Sequence, residues 1–167
     1  AIKKNVDVEG KHKKQSGGSG QYGHVKIKFG PGTEDGLTFT TSVVGGAVPK
    51  NYFPAVEQGL KDCMLKGVLA GYPMANLSAN LYDGSYHDVD SNEISFKLAA
   101  ALAYREGMPK ANPVLLEPVG ALKVYVPESY VGDVMGDLNK RRGRVMGIEP
   151  MDNGKQVGIE VGGAYNV

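Results

Sequence analysis

The sequence predicts an α+β fold in two domains. Each half of the 167-residue chain contains both strand-like alternation and helix-like spacing of apolar residues. Glu117-Pro118 separates the halves, and the elements after it follow the order β-α-β-β, the front part of a ferredoxin-like split unit. We expect residues 1–116 to form a mostly antiparallel sheet with two helices on one face. Residues 117–167 should form a partial ferredoxin-like α/β sandwich.

The first third of the chain predicts a polar extended start, a loop and two strands. Residues 16–23 hold glycine at four of eight positions, which indicates a flexible loop. Apolar residues alternate over residues 24–29 and again over 37–43, with turn residues between them. We expect these two strands to pair as an antiparallel hairpin.

The next segment predicts a helix and a third strand. Pro54 suits the first turn of a helix, and Gly67 is placed to end it. Cys63 lies on the apolar stripe of this helix, where a small buried hydrophobic residue is expected. Residues 75–81 alternate as a strand.

A second helix and a short strand complete the first predicted domain. Asp90 and Ser91 can cap the helix, because Glu93 follows Asp90 at capping-box spacing. The helix should run to about Glu106, and its alanines would let it approach the sheet closely. Residues 114–116 are predicted to form a fourth strand.

The second half predicts a strand, a helix and a hairpin. Apolar residues alternate over 122–126, follow helical spacing from Val131 to Leu138, and alternate again over 145–149 and 157–161. Asn153-Gly154 indicates a type I′ turn between the last two strands.

Composition and charge narrow the class of protein. The chain has 41% hydrophobic residues and a single cysteine, which together favour a folded domain in a reducing, cytoplasmic setting. No stretch approaches the roughly 20 apolar residues of a membrane span, so no membrane contact is expected. Net charge is only +1, but residues 1–28 carry seven lysines against two acids. That segment is either a polyanion contact or a solvated terminus.

Catalytic and metal-binding motifs are not evident in the sequence. The glycine-rich loop precedes a strand and has no Lys-Ser/Thr pair after it, unlike a phosphate-binding loop. Neither H-x-x-x-H nor C-x-x-C occurs, so no metal site and no cofactor are expected in this chain. A hydrolase using His87 with a nearby carboxylate is one alternative, and a purely structural module is another.

Two loops instead favour contact with RNA. The segment 16–23 follows Lys13 and Lys14, and the segment 83–88 contains Tyr86 and His87. Glycines allow close backbone approach, lysines attract phosphate, and Tyr and His can stack on unpaired bases. Two ordinary surface loops would be the alternative.

The residues of these loops resemble domain IV of bacterial elongation factor G. The first tip loop of that domain and its following strand are similar to Lys14-Gln15-Ser16-Gly17-Gly18-Ser19-Gly20-Gln21-Tyr22-Gly23-His24-Val25. The second tip loop is similar to Asp83-Gly84-Ser85-Tyr86-His87-Asp88-Val89-Asp90-Ser91. Residues 44–49, 113–118 and 132–143 match further family segments in order, so the resemblance covers about residues 6–161.

The resemblance implies a C-terminal part of a translation factor that promotes tRNA–mRNA translocation. Its partners would be the small-subunit decoding region with tRNA and mRNA, and the large-subunit GTPase-associated region. The factor would act as a monomer, with GTP and Mg²⁺ bound in a GTPase domain outside this sequence. The crossover in the first domain would be the rare left-handed βαβ type.

The resemblance also implies which residues contact the ribosome. In the tip these are Lys13, Lys14, Ser16, Gly17, Gly18, Ser19, Gly20, Gln21, Tyr22, Gly84, Ser85, Tyr86, His87 and Asp88. In the second domain they are Lys140, Arg141 and Arg142.

The sequence departs from the family pattern at two places. Ser19 stands where the family usually has Arg, which leaves open a paralogue for ribosome recycling or tetracycline ribosomal protection. A helix and an arginine-rich loop expected before the last strand are absent from the sequence. We therefore expect an interruption of the chain near Val161-Gly162.

Overall fold

The computed structural model describes residues 1–152, 154 and 156–163. The chain forms two compact units, Ala1–Leu115 and Leu116–Val167. The described residues contain two sheets and three α-helices, which confirms the predicted α+β class. None of the helices in these residues is long and apolar enough to cross a membrane.

The first unit is a four-stranded sheet with two helices. Its elements are β1 (Val6–Lys14), β2 (Gln21–Pro31), β3 (Leu37–Thr41), α1 (Phe53–Met64), β4 (Leu77–Ser85) and α2 (Glu93–Gly107). Short 3₁₀ turns, Lys50–Tyr52 and Met108–Ala111, precede α1 and follow α2. The strand order across the sheet is β1-β2-β4-β3.

The predicted hairpin between the second and third strands is wrong. β2 pairs in antiparallel fashion with β1 and with β4, whereas β3 pairs with β4 in parallel. The turn after β2 explains the difference, because it wraps around the start of β4. Gly32 N donates to Asn76 O at 2.5 Å, and Leu77 N donates to Gly36 O at 3.0 Å. β4 therefore occupies the place beside β2, and the parallel β3–β4 pair is joined through α1. Left-handedness of this crossover stays a prediction.

Both helices pack on one face of the sheet, as predicted. The core between them and the sheet includes Phe29, Leu60, Leu81, Phe96 and Ala100, each at most 1% exposed. α2 lies very close to β1. A Cβ added at Gly10 would be 2.0 Å from Ala99 O, so only glycine fits under the alanine face of this helix.

The helix boundaries partly follow the sequence signals. Pro54 lies in the first turn of α1, as predicted, and α1 ends at Met64, before Gly67. Cys63 is half-buried against the core, and burial raises the pKa of its thiol.

The predicted cap of α2 is wrong. Asn92 is the N-cap, and its Oδ1 accepts a hydrogen bond from Ser95 N at 2.8 Å. Asp90 and Ser91 do not cap the helix because their polar groups bind the neighbouring loop instead.

Residues 114–116 do not form the predicted fourth strand. Ile2 and Pro113 make an isolated bridge, and Val114 exchanges two hydrogen bonds with Ala1. The partner segment at the start of the chain is too short to continue this pairing into a ladder.

The second unit has the predicted β-α-β-β order. Its elements are β5 (Gly120–Pro127), α3 (Val131–Lys140), β6 (Arg144–Pro150) and β7 (Gln156–Gly163), with β7 between β5 and β6. Leu138, Ile159 and Val161 form its buried core among the described residues. The Asn153-Gly154 turn falls partly outside the described residues, because Asn153 is not among them.

The expected interruption near Val161-Gly162 is not observed. β7 passes through both residues and pairs on both sides, with Leu122 and Ala121 of β5 and with Val145 and Arg144 of β6.

Candidate functional site

The structure brings the two glycine-rich loops together at one end of the first sheet. β1 and β2 form a hairpin whose last pair is Lys14↔Gln21, so residues 15–20 form its turn. β4 ends beside this turn, with Ser85 opposite His24 of β2. Because β2 and β4 are neighbours, the loop after β4 emerges next to the β1–β2 turn. We call these two segments, residues 15–20 and 86–92, the tip loops.

Backbone hydrogen bonds fasten the tip loops to each other. Tyr22 N donates to Asp90 O at 3.0 Å, and Ser91 Oγ donates to Tyr22 O at 2.9 Å. Ser91 Oγ also accepts from His87 N at 2.9 Å. Tyr52, just before α1, donates its hydroxyl to Ser91 O at 3.1 Å. The second loop is thus tied both to β2 and to the helical layer.

Glycines set the contact and the apex of the first tip loop. A Cβ at Gly20 would lie 2.7 Å from Asp90 Cγ, so a side chain there would separate the two loops. Gly17 and Gly18 have φ angles of +63° and +140°, with open space around them. Positive φ favours glycine, so the apex conformation depends on these residues. Ser16 and Ser19 are exposed beside them.

His87 presents one ring nitrogen to solvent. Its Nδ1 accepts from the backbone N–H groups of Val89 at 3.3 Å and Asp90 at 3.2 Å. Because Nδ1 is an acceptor, the neutral ring carries its proton on Nε2. The exposed edge of His87 therefore offers a hydrogen-bond donor, and the exposed Tyr86 and Asp88 flank it.

The geometry around His87 differs from that of a hydrolase. The closest Asp90 carboxylate oxygen lies 3.6 Å from Nδ1, which already accepts two backbone hydrogen bonds. Among the described residues, no hydroxyl or thiol bonds to the His87 ring. A nucleophile activated by this base would need such a bond.

A side-chain network stands under the tip loops. His24 Nε2 lies 3.1 Å from Glu9 Oε2, and because a carboxylate only accepts, Nε2 carries the proton. In the neutral ring, Nδ1 then accepts from Ser85 Oγ at 2.7 Å, and Ser85 Oγ accepts from the Tyr22 hydroxyl at 2.6 Å. The hydrogen bond from His24 holds the pKa of the Glu9 carboxyl below its ordinary value. Glu9, His24, Ser85 and Tyr22 form what we call the strand network.

The Tyr22 ring is held from three sides. Its hydroxyl belongs to the strand network, and its ring lies 6.4 Å from the His87 ring at an interplanar angle of 53°. Lys11 Nζ lies 5.6 Å from its ring centroid, within the range of a cation–π contact. Tyr22 therefore links the strand network to the exposed residues of the tip.

The residues predicted for the tip divide into an exposed and a supporting group. The exposed group is Lys13, Lys14, Ser16, Gly17, Gly18, Ser19, Tyr86, His87 and Asp88. The supporting group belongs mostly to the strands and consists of Gly20, Gln21, Tyr22, Gly84 and Ser85. Gln21, for example, bonds through Oε1 to His12 Nε2 at 2.8 Å.

Sequence reasoning missed three supporting residues. Glu9 and His24 belong to the strand network, and Ser91 fastens the second loop to Tyr22. Tyr22 and His24 are two apart on a strand, which places them on the same face of the sheet and offered a signal.

The basic cluster predicted in the second unit lies at the end of α3. Arg141 Nε contacts Asp137 Oδ2 at 2.9 Å, and Arg142 makes a two-pronged contact with Glu117 at 2.8 and 3.2 Å. That contact keeps the pKa of the Glu117 carboxyl below its ordinary value. Lys140 is exposed and has no ion-pair partner among the described residues.

Comparison with known proteins decides the family. The family model for elongation factor G, domain IV, matches residues 1–112, and the model for the elongation factor G C-terminus matches residues 114–162.

The chain belongs to the elongation factor G family.

A crystal structure from Thermus thermophilus agrees with this elongation factor G assignment. It is 45% identical in sequence, with a TM-score of 0.84, over 96% of this chain and 24% of the other. The chain thus spans about a quarter of that protein's length. Both matched elongation factor G segments are non-catalytic domains of an elongation-factor-type translation factor. In the described part of the chain, no group of three or more His, Cys, Asp or Glu residues is arranged to hold a metal ion.

Proposed function

We propose that this chain binds the ribosome and inserts its tip loops into the A site of the small subunit. There it promotes tRNA–mRNA translocation, coupled to GTP hydrolysis in another domain of the parent factor. The observation that carries this proposal is the joining of the two tip loops through Tyr22, Asp90 and Ser91. This joining makes one projecting surface from segments almost 70 residues apart (|i−j| = 69 for Ser91 and Tyr22).

The chemistry of the tip suits contact with RNA of changing shape. Gly17 and Gly18 leave the backbone amides of the apex open to phosphate or ribose oxygens. His87 offers its Nε2–H, and the neighbouring Tyr86, 46% exposed, can stack on an unpaired base. Lys13 and Lys14 add positive charge at the end of β1. Since most of these groups bind backbone or stack, the tip would recognise shape more than base sequence.

The second unit would contact the large subunit near its GTPase-associated region. Lys140, Arg141 and Arg142 form its basic cluster at the end of α3. Their contribution would be electrostatic, with phosphate oxygens competing for the guanidinium groups now paired with Asp137 and Glu117. The parent factor would act as a cytoplasmic monomer that binds GTP and Mg²⁺ in its GTPase domain.

Ribosome recycling or tetracycline ribosomal protection is the second candidate function. Ser19 favours it, because the family pattern usually has Arg at this exposed position of the first tip loop. A serine there removes one cationic contact with the RNA. Assays of the whole factor for translocation and for ribosome splitting, each with and without Ser19→Arg, would separate the two functions.

Binding to bacterial 70S ribosomes tests the proposal directly. We would compare the 167-residue chain with Lys13→Ala/Lys14→Ala and with the matched control Lys3→Ala/Lys4→Ala. The control removes the same charge at the opposite end of β1. We expect the tip variant to bind several-fold more weakly and to lower the salt slope of log K by about 2, roughly 1 for each phosphate contact.

A second readout locates the contact. His87→Ala should reduce the protection of A-site bases in the small ribosomal subunit from chemical probes, because it removes the Nε2–H donor. Equal losses in both lysine variants, or A-site bases that the chain never protects, would contradict the proposal.

A further inference from the structure

Helix α2 is apolar on two faces. Its inner face, with Phe96, Ala99 and Ala103, is fully buried against the sheet. Its outer face carries Ile94 at 62% and Leu98 at 40% exposure. A helix that packs on one side only should be polar on its solvent side. The outer face of α2 therefore has the composition of a surface that is covered by another element.

This outer face borders a groove along α1. Gly59 of α1 lets the two helices approach closely, since a Cβ there would lie 2.8 Å from Lys97 O. A cavity of about 520 Å³ follows the contact, with Ile94, Leu98 and Ala101 of α2 on its floor. These three residues have i, i+4, i+7 spacing, so they form one continuous stripe. We call this cavity the α1–α2 groove.

The rim of the α1–α2 groove is positively charged. Lys66, Lys97 and Arg105 line it, together with the single acid Asp62. None of the three cations makes an ion pair with another described residue. By contrast, lysines elsewhere on these helices pair with a glutamate four residues away, as Lys61 does with Glu57.

A buried hydroxyl in the groove wall has no partner. Tyr104 is 2% exposed and lines the groove, yet its OH makes no hydrogen bond within the described part of the chain. Burial is the main reason that the pKa of Tyr104 is raised to about 12. Buried polar groups are normally hydrogen-bonded, so this hydroxyl is a donor in need of an acceptor.

We propose that the α1–α2 groove binds an acidic amphipathic helix of a protein partner. The apolar stripe would receive the partner's Leu-like side chains, and the three cations would pair with carboxylates on its flanks. One carboxylate or carbonyl oxygen of the partner would accept from Tyr104. The stripe from Ile94 to Arg105 is about 16 Å long at 1.5 Å per residue, enough for three turns of the bound helix.

The floor of the groove favours a protein over a nucleic acid. RNA-binding surfaces place cations and stacking aromatic rings against phosphates and bases. Here, aliphatic side chains form the centre and the cations are confined to the rim, which is the arrangement of a protein-binding site. The inference is independent of the tip loops and of their role on the ribosome.

A synthetic peptide tests the proposal. The probe is a fluorescent 14-residue helical peptide with Leu at i, i+4 and i+7 and Glu on both flanks. Its control carries Lys in place of every Glu. Anisotropy with the 167-residue chain should show at least tenfold tighter binding of the acidic peptide. Leu98→Glu and Lys97→Glu should each weaken that binding by at least tenfold, whereas Lys4→Glu, the same charge change outside the groove, should leave it unchanged.

Tyr104→Phe supplies a readout that does not depend on charge. It should weaken binding of the acidic peptide several-fold without lowering the melting temperature of the free chain, because it removes only the unpaired hydroxyl. Binding that is equal for both peptides, or unaffected by Leu98→Glu, would overturn the proposal. So would sedimentation equilibrium showing that two copies of the chain associate through this face, because the occupant would then be a second copy.

Discussion

At the residue scale, the tip depends on side chains that an RNA partner would not touch. His24 joins Glu9 on one side to Ser85 and Tyr22 on the other. Tyr22 in turn carries the backbone bonds to the second tip loop. A change in the strand network should therefore reach the exposed residues through Tyr22.

We predict that Glu9→Gln makes the chain less stable at neutral pH but not in acid. The bond from His24, with smaller contributions from Lys26 and Lys11, lowers the pKa of Glu9 from its ordinary value of 4.5. A carboxyl with a lowered pKa stabilises the fold above its ordinary value, and this contribution is lost as the pH falls through the folded value. Urea unfolding between pH 7 and pH 3 should show the two proteins converging as the pH falls.

The exposed Glu34 offers a matched control, because it has no hydrogen-bond or ion-pair partner among the described residues. Glu34→Gln should leave the pH profile close to that of the parent. A stability difference for Glu9→Gln that is constant from pH 7 to pH 3 would show that the bond to His24 does not act through charge.

The strand network could not be predicted from sequence, whereas the exposed tip residues could. A glycine-rich segment identifies a loop wherever the strands lie. The bond between His24 and Ser85 joins residues 61 apart and depends on which strands are neighbours. It also depends on the irregularity between Lys26 and Ile27, which shifts the pairing of β2 with β4.

At the element scale, the contact of α2 with β1 should tolerate no added methyl group. Gly10→Ala would put a Cβ 2.0 Å from Ala99 O and 2.7 Å from Ala103 N, both of them backbone atoms. We predict a loss of about 1–3 kcal/mol in the free energy of unfolding, the usual cost of overpacking. Thermal or urea unfolding measures it.

Gly136→Ala is the control for this substitution, because a Cβ there meets nothing within 4 Å in α3. Alanine is the better helix former by about 1 kcal/mol. The control should therefore be neutral or stabilising. If Gly10→Ala proved equally harmless, the close packing of α2 on the sheet would be wrong.

The sequence predicted elements better than it predicted partners. Alternation identified β2 and β3 because it reports burial of one strand face. It carries no information on the neighbouring strand, and the hairpin prediction failed for that reason. The cap of α2 failed similarly, since Asp90, Ser91 and Asn92 are all capable caps and the tertiary bonds of the first two left only Asn92.

At the scale of the whole molecule, the two units have cores of very different size. In the described residues, the second unit buries three hydrophobic side chains, against 21 in the first. Protection from hydrogen exchange rises with such burial. We predict that the amides of β5, β6 and β7 exchange faster than those of the central strands β2 and β4.

Hydrogen exchange followed by NMR on the 167-residue chain would measure this difference, with repeats at two pH values to confirm that exchange reports opening. Equal protection in both units would contradict the prediction. It would mean that the second unit is stabilised by more than its own core.

Fold class and the β-α-β-β order were predictable at this scale because they follow from local periodicity. The joining of the tip loops was predictable only through the family resemblance. The α1–α2 groove was not predicted, since an apolar residue on a helix looks the same in sequence whether it faces the core or a partner.

The strand order β1-β2-β4-β3 has a consequence for how the chain acquires its structure. β1 and β2 are adjacent in sequence and can pair as soon as both exist. The other side of β2 has to wait for β4, which begins at Leu77, after β3 and α1 have been made. Pairing across such a long loop is slow compared with a hairpin. Throughout that interval β2, with its apolar Val25, Ile27 and Phe29, is an open sheet edge exposed to any other strand nearby.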